Sequence, residues 1–214
     1  MDKQRAQLIK NLSQDLEVIS SPGQTLNITI LWLMINFSLT VLLTLATGPF
    51  RTGSFDQLQT HPQFFIESLV GMAAIILLAT FSFKSGLPTG RTVLKIGLTP
   101  CVLLLIWISF YFYGFLEPAL PASMEGKREI HCNLTTLLIG LPSLLLGLFM
   151  LRRLWPLDPA WSGLLLGLAA GATPALIMQF ACMYSIEHIF QHHLLPGLLL
   201  GPIGMIIGKY SLKK

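Results

Sequence analysis

Long apolar runs separated by short polar clusters set the rhythm of this chain. No Asp, Glu, Lys or Arg lies between Glu17 and Arg51, Lys95 and Glu117, Glu129 and Arg152, Asp158 and Glu187, or Glu187 and Lys209. Between Asp56 and Lys84 the one ionised side chain is Glu67. A helix needs about 20 predominantly apolar residues to cross ~30 Å of hydrocarbon, where backbone amides find no water. Trimmed to that length, the runs predict six membrane helices at roughly 26–47, 63–83, 95–116, 133–151, 160–184 and 190–209. The expected fold class is therefore all-α, a polytopic membrane helical bundle with six transmembrane helices. Residues 1–25 form a head, 26–209 the transmembrane domain and 210–214 a short tail.

Composition removes the soluble alternatives. The 214 residues are 53% hydrophobic and 11% charged, whereas a soluble surface takes roughly 25–35% charged residues. High hydrophobicity also excludes disorder. The Lys and Arg residues set the orientation. Lys3, Arg5, Lys10, Lys84, Arg91, Lys95, Arg152, Arg153, Lys209, Lys213 and Lys214 fall on one side of the predicted spans. Arg51, Lys127 and Arg128 fall on the other. The basic side is cytoplasmic, so both termini are expected in the cytoplasm. The pI of 9.1 is then a topogenic signature, and no direct nucleic-acid contact is expected.

Gly163, Gly167 and Gly171 recur every four residues in the fifth span, and Gly197/Gly201 and Gly204/Gly208 repeat the spacing in the sixth. Small residues let helix backbones approach closely in lipid, so these spans should pack tightly together or against the fourth. Glu67 is explained by snorkelling or by hydrogen bonds from a neighbour. A transport path usually shows several ionisable groups facing inward. None forms a series here, so a small transporter or channel stands as the alternative function, and no small-molecule substrate is expected. No nucleophile–base constellation marks an enzyme; Glu129, His131 and Ser123 share a loop without a motif.

Cys101 reads as a small buried hydrophobe. Cys132 opens the fourth span and Cys182 closes the fifth, so with cytoplasmic termini both reach the periplasmic face, where a disulfide persists. Three readings stand for the pair: redox- or metal-responsive thiols, a static disulfide, or unpaired residues. His131 precedes Cys132, and His188, His192 and His193 follow Cys182. Thiolates with imidazoles suit a soft metal ion, although no zinc-finger spacing is present.

The stretches His131-Cys132-Asn133-Leu134, Gly140-Leu141-Pro142 and Leu151-Arg152-Arg153 resemble the NrsF family of bacterial membrane anti-sigma factors. Pro156-Leu157-Asp158-Pro159, Gly163, Gly167 and Ala169 to Ala172 continue the resemblance. It implies a short cytoplasmic head, six membrane helices, two periplasmic-side cysteines and an extracytoplasmic-function sigma factor held inactive as partner. Leu8-Ile9-Lys10-Asn11-Leu12 is similar to the family's opening segment, whereas Val18-Ile19-Ser20-Ser21-Pro22 departs from it. Ala181, Met183, Gln191, His192 and His193 also depart from the family's pattern near the second cysteine.

In the head, Leu8, Ile9, Leu12, Leu16 and Ile19 lie on one helical face. Such a helix either rests on membrane lipid or docks its apolar face in a groove of a cytosolic partner. The sequence thus leads to a two-state expectation. The head sequesters a sigma factor, and a redox or heavy-metal signal at Cys132 and Cys182 releases it.

Overall fold

The computed structural model describes Gln4, Arg5, Gln7 and residues 22–85, 92–116, 132–182 and 185–212. Among them the chain is entirely helical. Its elements are α1 (Pro22–Thr47), the short α2 (Ser54–Thr60), α3 (Pro62–Lys84), α4 (Thr92–Leu116), α5 (Cys132–Arg152), α6 (Pro159–Ala181) and α7 (Ile186–Ser211). Five of these, α1, α3, α5, α6 and α7, are long and apolar enough to cross a membrane. In α4 the apolar stretch is Leu98–Gly114. A helical membrane bundle follows from those lengths.

Local chemistry places the boundaries. Pro62 and Pro159 sit in the first turns of α3 and α6, where a missing N–H costs no intrahelical bond. The Asp158 carboxylate caps α6 by accepting from the Trp161 amide at 3.0 Å. The predicted fifth span, 160–184, is too long at its end. α6 stops at Ala181, with Cys182 in extended backbone at ψ 172°. The predicted sixth span starts too late, because α7 already begins at Ile186. α2 follows a left-handed turn at Gly53, φ 76°, and had no counterpart among the predicted spans.

α6 is the hub. Of its most apolar stretch 78% is buried inside the chain, against 28% for α1, so α6 meets protein on most sides and α1 mainly its surroundings. The most extensive helix contact is between α6 and α7. A Cβ at Gly163 would strike the Gly204 carbonyl; at Gly167, the Leu200 carbonyl; at Gly171, the Gly197 carbonyl. Backbone thus lies directly on backbone along this seam, the close approach small residues permit.

A buried polar knot ties α1 to α5 and α6. The Asn36 amide donates to Thr173 Oγ1 at 2.6 Å, and Ser143 Oγ donates to Asn36 Oδ1 at 2.5 Å. Trp32 Nε1 donates to the Ser143 carbonyl at 3.1 Å. Glu67 is also interior, at 1% exposure, which removes snorkelling as its explanation.

Two ends can be told apart. At one, Lys84, Arg152, Arg153 and Lys209 gather, held by the Leu157 amide donating to the Ser85 carbonyl and by a Ser85–Ser162 hydroxyl contact. At the other lie Arg51, Cys132, Cys182 and His188, with the Arg51 amide donating to the Phe180 carbonyl at 3.0 Å.

Candidate functional site

Two thiols meet at that second end. Cys132 begins α5 and Cys182 follows the last residue of α6; both are buried and in mutual contact. No disulfide joins them. The hairpin between α5 and α6 brings together positions separated by most of two helices.

Histidines complete the cluster because α7 is irregular where it passes. Residues Phe190–Leu194 form a π-helical turn, closed by the Leu195 amide donating to the Phe190 carbonyl. Pro196 supplies the reason. A proline has no N–H to offer the carbonyl four residues back, and its ring crowds that carbonyl. The carbonyl concerned belongs to His192, and the Thr136 hydroxyl lies against it at 3.4 Å. π-turns of this kind often sit at functional sites.

His188 and His193 turn toward the thiols. One ligand atom each from Cys132, Cys182, His188 and His193 lies within 4.8 Å of every other. Cys182 Sγ and His188 Nε2 are 3.2 Å apart. His193 is 1% exposed, and its Nδ1 is 2.8 Å from Thr136 Oγ1. The Thr136 hydroxyl hydrogen has the Cys132 carbonyl, at 3.1 Å, to donate to. With that donation made, Oγ1 has a lone pair for a His193 Nδ1–H, the tautomer that leaves Nε2 as an acceptor. That Nε2 has no hydrogen-bond partner. His192 points elsewhere, with Nδ1 2.6 Å from Asn133 Oδ1. Its ring packs on His188 with centroids 4.7 Å apart.

A cavity of about 230 Å³ adjoins the cluster, with Cys132, Cys182, His193, Met178, Thr47 and Arg51 among its lining residues. Drug-sized ligands take pockets of roughly 300–1,000 Å³, so this one suits ions and molecules of few atoms. Arg51 is 5% exposed, and its Nη2 donates to Gln57 Oε1 at 2.6 Å. Outside the thiols, Phe180 stacks on Phe55 and meets Phe64 edge-on. The sequence pattern carried no signal for Arg51 or Thr136 at this site.

The other expected residues fall as follows. Gly163, Gly167 and Gly171 lie in the α6–α7 seam and do not touch the cavity. His131 and the head residues Leu8, Ile9, Leu12 and Leu16 lie outside the described residues.

Comparison with known proteins adds an independent line. The family model NrsF, negative regulator of sigma F, matches residues 12–213. The carotenogenesis protein CarR of Myxococcus xanthus is 29% identical over 150 residues, covering 69% of this chain and 61% of CarR. The match thus spans less than two thirds of CarR's length. The anti-sigma-F factor NrsF of Caulobacter vibrioides (strain NA1000 / CB15N) is 28% identical over 163 residues, 71% of this chain and 73% of that protein. No solved structure matches.

Proposed function

This chain belongs to the NrsF family of negative regulators of sigma F, and we propose that it is an inner-membrane anti-sigma factor for an extracytoplasmic-function sigma factor. In this reading six spans cross the membrane, α4 joining the five longer apolar helices as the third in chain order, and both termini face the cytoplasm. The head, residues 1–25, docks Leu8, Ile9, Leu12 and Leu16 on the sigma factor and keeps it from core RNA polymerase. Cys132 and Cys182 receive a redox or heavy-metal signal on the periplasmic side.

The observation that carries the reading is the family match over nearly the whole chain, joined to two buried thiols at the end opposite Lys84, Arg152, Arg153 and Lys209. α6 runs from the basic end to the thiols, and its glycine seam with α7 gives it a rigid partner along that path. A signal shifts such an equilibrium only by its differential affinity for the two states, and tenfold release takes about 1.4 kcal/mol.

The test is co-purification of the full-length chain with the extracytoplasmic-function sigma factors of its own bacterium, each co-expressed in turn. Leu12→Asp combined with Leu16→Asp should abolish retention. Cys132→Ser with Cys182→Ser should retain the sigma factor yet fail to release it under a thiol oxidant or a soft metal ion. Retention unaffected by the head variant overturns the docking site; release persisting without the thiols overturns the sensing site.

A further inference from the structure

The four-residue cluster has the composition of a closed metal site, and its charge decides the class of ion. Cys132 and Cys182 supply two thiolates, His188 and His193 two neutral imidazoles, with no carboxylate among the four. Oxygen-preferring magnesium and calcium find no ligand of their kind here. Two thiolates cancel the charge of a divalent ion. The complex is then neutral, which matters where the surroundings are apolar and an uncompensated charge is costly to bury. Two sulfurs and two nitrogens in tetrahedral order are the ligand set of zinc.

Geometry agrees. With zinc–sulfur near 2.3 Å and zinc–nitrogen near 2.0–2.1 Å, tetrahedral ligand atoms sit about 3.3–3.8 Å apart. Cys182 Sγ and His188 Nε2 are already 3.2 Å apart, and the full set is within 4.8 Å. Side-chain rotation alone covers a difference of that size. The second, independent mark is His193. It is buried to 1% exposure with Nε2 unbonded, while Nδ1 is fixed by Thr136. A ligating histidine is commonly held this way, its other ring nitrogen donating to a neighbour that sets tautomer and orientation. A buried acceptor left without a partner is destabilising, and a bound cation relieves it.

We propose that Cys132, Cys182, His188 and His193 form a tetrahedral site for a zinc-type divalent cation, with Thr136 as the positioning residue for His193. The site clamps the start of α5, the end of α6 and the π-turn of α7. It deepens the sensing reading and rests on it for its link to sigma-factor release. The ion is a ligand holding three helices, so its loss or replacement is the event that alters their packing. His192, one residue from His193, is excluded because it is not among the residues whose ligand atoms converge; its Nδ1 faces Asn133.

Cobalt(II) is the probe. Full-length protein in detergent is stripped with a chelator, titrated with Co²⁺, and back-titrated with Zn²⁺. One equivalent of cobalt should give intense tetrahedral visible bands with a thiolate charge-transfer band, both erased by one equivalent of zinc. His188→Ala and His193→Ala should each weaken binding by more than about 100-fold, beyond the 10–100-fold range of outer-shell changes. Thr136→Val should fall within that range, and His192→Ala should bind as the unaltered protein does. Should His193→Ala not fold, as read by helical circular dichroism, His193→Gln replaces it. Weak octahedral bands, an absent thiolate band, or His192→Ala losing as much as His193→Ala each overturn the site. Sigma-factor retention is measured on the same preparations. Tight cobalt binding without retention overturns the proposed function and leaves the site standing; retention without cobalt binding overturns the site alone.

Discussion

The contact between α6 and α7 has two unlike halves. From Gly163 to Gly171 the helices touch backbone to backbone, against Gly204, Leu200 and Gly197 in turn. Beyond Pro174 the same pair of helices flanks a cavity of about 230 Å³, with Met178 and Cys182 on one side and His193 on the other. One half has no room for a methyl group. The other has space, unbonded polar atoms and a widened helical turn. The difference separates transmission from reception: a packed interface passes on displacement because it cannot absorb it, and an under-filled one is where a ligand changes the packing.

The sharpest way to break this comparison is to force the seam apart. Gly167→Leu places a side chain where the Leu200 carbonyl already stands. Overpacking against backbone has no flexible neighbour to yield, so a loss of about 3 kcal/mol or more is expected, at the upper end of overpacking effects. Reversible unfolding in mixed micelles measures it, and a loss below 1 kcal/mol, on the scale of ordinary surface substitutions, would show the seam to be compliant.

A second substitution asks whether α1 is fastened by packing or by polarity. Asn36→Leu removes the amide between Ser143 and Thr173. Hydrogen bonds between membrane helices are worth about 0.6–2 kcal/mol each. Two are lost here, but the Thr173 hydroxyl still donates to the Ala169 carbonyl at 2.9 Å. A net destabilisation of about 1–2 kcal/mol in the same unfolding assay is expected. Ser143→Ala in the Asn36→Leu background should add little, because its partner is already gone.

How much of this was legible beforehand follows from what each feature depends on. Spans depend on hydrocarbon thickness, a property of the solvent, so uncharged runs disclosed the five helices long and apolar enough to cross within a few residues. The glycine spacing disclosed a close-packing face but not its partner residues. Asn36 was opaque because one polar residue inside an apolar run has no periodicity to mark it. The thiol end was legible in part. The hairpin between α5 and α6 follows from span order, so the meeting of Cys132 and Cys182 could be anticipated. The choice of His193 over His192 could not. Neighbouring residues on a helix point about 100° apart, and the π-turn before Pro196 sets which one faces inward. Helix ends were least legible: a cysteine just after α6 and one just inside it look alike in the chain.

The smallest expected effect sharpens the comparison most finely, because it alters a glycine whose neighbour can move. A Cβ at Gly114 in α4 meets the terminal Cδ1 of Ile186 at 2.6 Å, with the next atom at 3.4 Å. The obstruction is the tip of a flexible side chain. Ala is favoured over Gly in a helix by roughly 0.5–1 kcal/mol, and re-orienting one isoleucine costs about as much. Gly114→Ala should therefore lie within about 0.5 kcal/mol of the parent protein. Gly171→Ala adds the same methyl group against the Gly197 carbonyl, which cannot rotate aside, and should cost clearly more. Equal stabilities for the two variants would mean that a carbonyl and a methyl tip yield alike, and the rigid half of the α6–α7 contact would lose its physical basis.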